Sequence, residues 1–415
     1  MTTRSRFLLW VTVLAGLAAC GRRDAGDARP PARGGAAPPG DSEAQAARAP
    51  GRAPGSYLRM RLVKVMDEHG FDRPVEAFRF LIPTDWQVEG GVRWTGDIGC
   101  PYNIVEAAIR AASPDGGTGI EAFPTHTWAW NDDPMSRQVA AQGQAATGAK
   151  SCEMSPPVGA AAYLKQVVVP RYRRSAQGLR VVTEEPLADL ARAYAAAVRP
   201  GIAAMGQGMD FRVDAARVRV AYSAGGRARE EWFAGAVQQI ITPAPSYAAL
   251  MNGQMIYDAH QFSVTATYLY STWAGRGELE SKAKLFASIV ASFRLDPAWQ
   301  GAVERVITNI GNAQIRGAAE RSRIWSEASR EISDIQRQGY EERQAVQDRL
   351  AERWSETIRG VDTYTDPRTQ ERVELSGGYD NAWVNNRGEY ILSDSPGFNP
   401  SVELEEDWTR LEKRE

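Results

Sequence analysis

The sequence predicts an α+β fold. Three observations carry this. Segments that alternate apolar and polar residues come in antiparallel runs, an Ala- and Leu-bearing helix separates two of those runs, and an amphipathic helix closes the last. Tyr57–Val65 alternates loosely and reads as a strand, and Val75–Ile82 as a second, through Val75, Ala77, Phe78, Phe80 and Ile82. Pro83-Thr84-Asp85 turns the chain and Trp86–Trp94 continues extended. Ile104–Ala112 and Gly119–Phe123 flank Ser113-Pro114-Asp115-Gly116-Gly117. Gly and Asp accept the positive φ of a tight turn, so these two strands form a hairpin. Leu187–Val198 has leucines three apart and reads as a helix. Phe211–Ser223 alternates, and after Gly225-Gly226 a partner strand returns over Arg229–Ile241. Gln261–Tyr270 alternates Phe262, Val264, Ala266, Tyr268 and Tyr270. Glu278–Phe293 gathers Leu279, Leu285, Phe286, Ile289, Val290 and Phe293 on one side of a helix. Asp296-Pro297 ends it, because proline disfavours a helical residue before it.

Two phrases in this stretch carry a resemblance. Phe80-Leu81-Ile82-Pro83-Thr84-Asp85-Trp86-Gln87-Val88 ends a strand in Pro with Trp following, and Ile289-Val290-Ala291-Ser292-Phe293 closes the last helix ahead of Trp299. Over residues 56–297 the chain thus resembles PsbP-like sandwich domains. The resemblance implies an antiparallel sheet covered by helices on both faces. It also implies a non-catalytic binding or assembly role.

Residues 298–360 change character: they are rich in Arg, Glu, Gln, Ala and Ser and contain no proline. Trp299, Val303, Val306, Ile310 and Ala313 step by three or four; Ile324, Ala328, Ile332, Ile335, Val346, Leu350 and Trp354 carry the stripe on. This is one long amphipathic helix or two consecutive ones, up to about 90 Å if unbroken. Gly311, Gly317 and Gly339 are candidate bends. The stripe either packs on its own domain or docks a partner, including a second copy. Residues 361–415 read as a small β module: Arg372-Val373-Glu374-Leu375, then Ala382-Trp383-Val384, the turn Asn385-Asn386-Arg387-Gly388, and Glu389–Leu392. It is similar to a module at the ends of uncharacterised bacterial proteins, which implies a domain and no chemistry.

The N-terminus gives an address. Arg4 and Arg6 precede an apolar run from Phe7 to Leu17, too short to span a bilayer and suited to an export signal. Leu17-Ala18-Ala19-Cys20 follows, and resembles the lipobox of bacterial lipoproteins. That resemblance implies cleavage after residue 19, lipid on Cys20 and anchoring to a membrane of the cell envelope. Gly21, where an Asp would hold the protein at the inner membrane, points to the outer membrane and its periplasmic face. Residues 20–55 hold no aliphatic side chain larger than alanine and read as a disordered tether.

Formal charge is −2, and no basic stripe with interleaved aromatics supports nucleic-acid binding. Of three cysteines, Cys100 and Cys152 remain once Cys20 carries lipid. In an oxidising compartment they are a candidate disulfide, with two free thiols or a metal site as alternatives. Closing that loop of about 50 residues would stabilise the fold by roughly 4 kcal/mol.

Little else carries chemistry. The three histidines, His69, His126 and His260, share no zinc-ligand spacing. There is no Gly-x-Ser-x-Gly elbow and no Walker sequence, and the acids after Asn131 lack the spacing of a calcium loop. The pairs Glu184-Glu185 and Glu230-Glu231 read as solvated charges rather than a glycosidase pair. No catalytic residue, cofactor or metal is assigned. Aromatics alone have binding character: Trp128 and Trp130 at strand spacing, and Tyr268, Tyr270 and Trp273 later. Such rows either stack on a ligand or partner or cover a sheet face. The reading is a membrane-anchored, non-enzymatic binding module with an envelope protein as candidate partner. The alternative is an exported hydrolase or carbohydrate-acting protein, which requires a cleft holding His126 or His260 beside carboxylates.

Overall fold

The computed structural model describes residues 57–316 and 361–413, apart from 97–98, 148–149, 206–207, 255, 371, 377–378 and 396. Cys20, the tether and the stripe beyond residue 316 lie outside the described residues. The fold is mixed α and β with antiparallel sheets. No helix among the described residues is long and apolar enough to cross a membrane.

In chain order the strands are β1 (Tyr57–Asp67), β2 (Val75–Pro83), β3 (Gln87–Trp94), β4 (Val105–Ala112), β5 (Gly119–Ala122), β6 (His126–Asn131), β7 (Gln177–Pro186), β8 (Asp210–Ala224), β9 (Arg227–Ala244), β10 (Ala259–Gly275) and β11 (Arg294–Leu295). At the C-terminus follow β12 (Val361–Thr365), β13 (Arg372–Ser376), β14 (Asn381–Asn385), β15 (Glu389–Ser393), β16 (Trp408–Arg410) and β17 (Glu412–Lys413). The helices are α1 (Pro134–Thr147), α2 (Ala160–Tyr163), a π-helical turn (Leu164–Val168) leading into α3 (Val169–Tyr172), α4 (Ala188–Met205), α5 (Tyr247–Met251), α6 (Ala283–Ala291), α7 (Pro297–Arg316) and α8 (Pro400–Glu403).

The larger sheet has eight strands in the order β3-β4-β5-β10-β9-β8-β7, with β6 also pairing β10. Within it the β8–β9 hairpin turns at Gly225 and Gly226, both with positive φ. Alternation along β8 splits the side chains between two faces. Ala216, Val218 and Val220 join Phe233, Val264 and Ala266 under the helical segment Ala160–Tyr172. Ala215 and Ala236 face Leu187 and Leu190 on the α4 side, where Tyr194, Val198 and Ile202 pack against Val213, Ile240 and Tyr268.

The smaller sheet runs β11-β2-β1-β15-β14-β16. The sequence reading sets residues 361–415 apart as a module of their own. The ladder instead joins them to the first strands, with Tyr57 opposite Ser393 and Met60 opposite Tyr390. β1 pairs β2 along one edge, and β15 satisfies the backbone groups of the other. α6 then packs between this sheet and β12–β13, in one core with Phe78, Phe80, Tyr364 and Leu375. A three-stranded sheet, β13-β12-β17, completes the layer.

Asp296-Pro297 does more than stop a helix. The Asp296 carboxylate accepts from the Trp299 N–H (2.9 Å) and Pro297 opens α7, a cap and a first-turn proline starting a new helix. α7 buries Trp299, Val303, Val306 and Ile310 in its own domain, so the first part of the stripe is covered. Its entry is pinned at Asp67, which is fully buried. Asp67 accepts from the indole N–H groups of Trp94 and Trp299 (both 2.8 Å) and from the Gly70 N–H (2.8 Å).

Candidate functional site

The site begins as an interruption in the larger sheet. Along one edge of β10, β6 pairs from Gln261 to Ala266 and β5 from Tyr270 to Trp273. Between them β10 bulges: Tyr268 has φ +52°, and the register with β9 shifts between Thr267 and Tyr270. Leu269 turns inward there, and Gly235 makes room for it, since a Cβ at that glycine would lie 2.5 Å from a Leu269 methyl. The facing chain keeps one bond there, the Phe123 N–H to the Leu269 carbonyl (2.8 Å), and leaves the ladder over Pro124-Thr125, where Pro124 has no N–H to give it.

A cleft of about 350 Å³ opens at this interruption. Thr125, His126 and Leu269 form its floor, and Tyr163, Val168, Arg171 and Tyr172 of the helical segment form its roof. The third wall is tied by the disulfide Cys100–Cys152, which closes 52 residues. The Asn103 side chain locks that wall to β6, donating to the Thr127 carbonyl and accepting from its N–H (2.8 Å each). Ala129 forms a parallel bridge with Met154: the Ala129 N–H donates to the Glu153 carbonyl (2.9 Å) and the Ser155 N–H to the Ala129 carbonyl (3.1 Å). These ties bring Glu153 to His126.

His126 is the centre of the cleft. Its Nδ1 lies 2.9 Å from the Tyr163 hydroxyl and its Nε2 3.6 Å from the Glu153 carboxylate. Burial lowers the imidazole's pKa, the Glu153 carboxylate opposes this, and Arg171 adds to the lowering. The ring is therefore neutral at pH 7. Burial pushes the Tyr163 phenol well above its ordinary value, so it keeps its proton and can donate. With that bond made, the remaining imidazole proton sits on Nε2, facing Glu153. Trp128 backs the arrangement, its ring stacked 5.1 Å from Tyr163 and 5.5 Å from His126.

Behind the roof lies a buried ionic clamp. Arg173 donates to Glu231 (2.8 Å through Nε), to Glu121 (2.8 Å) and to Ser271 (3.2 Å), and the Tyr222 hydroxyl donates to Glu231 (2.8 Å). Glu231 is wholly buried. Burial works against the Arg173 charge, but the Glu231 carboxylate outweighs it and raises the pKa. The clamp also fixes the roof, because Arg173 donates to the Tyr172 carbonyl (2.8 Å).

The aromatics singled out by sequence divide. Trp128 is buried in the wall behind His126, and Trp273 is buried with its indole N–H on the Gly116 carbonyl (3.2 Å). Trp130 is half-buried beneath the Arg137 guanidinium, 4.1 Å away. Tyr268 and Tyr270 are half-buried and pack on the α4 side, Tyr268 edge-on to Tyr194 at 5.7 Å. They form no single row. Cys100 and Cys152 are bonded to each other. His260 pairs with Asp132 at the surface (2.8 Å) and His69 is exposed, so of the three histidines His126 alone lines this cleft. Among the described residues no three His, Cys, Asp or Glu side chains gather as metal ligands.

Sequence reasoning missed Tyr163, Arg171, Tyr172 and Glu153. The helical segment hid because Val167-Val168-Val169-Pro170 reads as strand or breaker; the π turn before it lets the helix run through a proline that has no N–H to give. The one available signal was Ala160-Ala161-Ala162-Tyr163-Leu164. Comparison of the chain with family models, with curated proteins and with solved structures finds no match.

Proposed function

We propose that this chain is an envelope lipoprotein, anchored through Cys20 at the outer membrane facing the periplasm, whose folded part is a PsbP-like binding module. Its ligand site is the His126 cleft. The observation that carries this is how the cleft's reactive groups are spent. His126 has a partner near each nitrogen. Cys100 is in a disulfide, and Ser151 accepts from Gln144 (2.6 Å) while donating to the Cys152 carbonyl (3.1 Å). Glu106 is paired with Arg93. Arg171 is exposed and, among the described residues, makes no ion pair; it lies over the ring of its neighbour Tyr172 (5.8 Å). A guanidinium beside aromatic rings suits an anionic group, carboxylate or phosphate, on a small ligand or on a partner protein. The stripe of residues 298–360 beyond α7 is the segment assigned to a partner protein or a second copy.

A second reading has one observation in its favour: His126 does stand beside Glu153 in a cleft, the minimum an exported hydrolase would need. One experiment separates the two. A photoreactive residue in place of Arg171, in the anchored full-length protein, is expected to crosslink a ligand or partner, while the wild-type protein turns over neither a glycan nor an ester panel. Turnover that His126→Ala abolishes would overturn the binding reading. Metabolic palmitate labelling that is equal in wild type and Cys20→Ser would overturn the anchor.

A further inference from the structure

The loop joining β9 to β10 presents apolar side chains that no described residue covers. The last ladder pair of that hairpin is Ala244 opposite Ala259, and residues 245–258 run beyond it. The loop is well built at its base. The Ser246 hydroxyl accepts from the Ala249 N–H (3.2 Å) to cap α5, and the Asp258 and Asp133 carboxylates accept from the Ser246 (2.8 Å) and Tyr247 (3.0 Å) N–H groups. Its tip is not packed: Leu250, Met251, Ile256 and Tyr257 are each 50–68 % exposed. Met135 and Val139 of the neighbouring α1 are exposed as well. A soluble loop tip gains nothing from such a cluster, whose hydration is unfavourable.

We propose that this loop enters the interfacial layer of the membrane that anchors the chain, an inference that rests on the lipid-anchor reading of Cys20. The apolar side chains lie on both arms of the loop, Leu250 and Met251 on one, Ile256 and Tyr257 on the other. A fluid layer surrounds such a tip, whereas a rigid protein surface covers one side. Tyrosine among aliphatic residues suits the boundary between headgroups and acyl chains. About 36 residues separate Cys20 from Tyr57. A coil of that length spans roughly 35 Å root-mean-square and about 120 Å at full extension, ample for the domain to turn its loop to the surface. The charges around the base are Asp132, Asp133 and Asp258 against Arg137, with His260 paired to Asp132. Their balance is negative, so insertion is driven by apolar burial and does not depend on anionic lipid. The cleft lies farther along β10, near Leu269, about 33 Å from Ala259 at 3.3 Å per residue. Insertion therefore leaves it open.

The test uses the full mature chain with Cys20→Ser, which carries no acyl chain, and an environment-sensitive fluorophore on Gln254→Cys. Added phosphatidylcholine vesicles should shift the emission to the blue and carry the protein down on sedimentation, equally at low and high salt. Leu250→Ser/Met251→Ser/Ile256→Ser/Tyr257→Ser should weaken partitioning at least about tenfold with an unchanged melting temperature. No blue shift with vesicles overturns the loop's role, as does partitioning that survives the fourfold change. A blue shift that needs protein concentration rather than lipid also overturns it, and assigns the tip to a second copy. Palmitate labelling of the unmodified chain reads the anchor separately: label without a blue shift removes the loop proposal alone, and absence of label removes the anchor reading with it.

Discussion

Replacing Glu231 by leucine tests whether the roof of the cleft is held by charge. Glu231 is fully buried, and Arg173 is 13 % exposed at its side chain. Removing the carboxylate leaves a guanidinium that water reaches poorly, and deprives the Tyr222 hydroxyl of its acceptor. Breaking a buried pair by removing one partner costs about 3–5 kcal/mol. Arg173 keeps Glu121 at 2.8 Å and Ser271 at 3.2 Å, so the low end, about 3 kcal/mol, applies. At about 1–1.5 °C per kcal/mol for a chain of this size, scanning calorimetry without reductant should find the melting temperature lowered by roughly 3–5 °C. A purely steric account predicts a further loss when more of the cluster is changed. The ionic account predicts recovery: Arg173→Met/Tyr222→Phe/Glu231→Leu/Glu121→Gln removes the stranded guanidinium, the orphaned hydroxyl and the carboxylate that Arg173 would leave unpaired together. A single variant within about 1 °C of wild type, or a quadruple variant below the single one, would refute the reasoning.

Four further outcomes can be measured. The His126 pKa should lie below the ordinary histidine value of 6.5 and move oppositely in two variants, downward in Glu153→Gln and upward in Arg171→Met, as read by histidine NMR titration. Because folding lowers this pKa, the unfolded chain takes up the proton first, so His126 costs stability as pH falls through 6.5 and the cost levels off below the folded value; His126→Phe should flatten that part of the pH profile. Cys100→Ser/Cys152→Ser should lose roughly 4 kcal/mol in urea unfolding and shift the His126 pKa in the same direction as Glu153→Gln. Asp67→Leu should lose about 3 kcal/mol by stranding the indole N–H groups of Trp94 and Trp299, seen as an altered tryptophan emission of the folded protein.

What the sequence disclosed depended on range. The β8–β9 hairpin was legible because alternation and Gly225-Gly226 lie within one short window. So was the β4–β5 turn, where Asp115 and Gly116 meet local backbone demands. The pairing of β1 with β15 was not, since Arg59 and Glu389, bonded at 2.6 Å, stand 330 positions apart and neither strand signals its neighbour. The role of Asp296-Pro297 was half legible: proline's effect on the preceding residue reads as a stop, while the capping that starts α7 shows only when Trp299 has a core to enter. The cleft was least legible. His126 was one of three histidines with nothing local to distinguish it. Its partners come from a helix disguised by valines and a proline, and from a strap whose position depends on a bond between residues 52 apart.

That bond links the proposed address to the site. Glu153 sits one residue after Cys152, and its backbone reaches β6 only through the bridge beside Ala129. Two backbone hydrogen bonds at an exposed strap are weak restraints, each contributing about 1 kcal/mol. The disulfide adds a covalent one on the adjacent residue. In a reducing compartment Cys100 and Cys152 would be thiols, and the strap would keep those two bonds and the Gln144–Ser151 contact but no covalent tie beside the carboxylate that faces His126. The polar arrangement of the cleft therefore depends on the disulfide staying formed. The export proposed above gains an argument that does not use the first twenty residues, since an oxidising compartment is where such a bond persists.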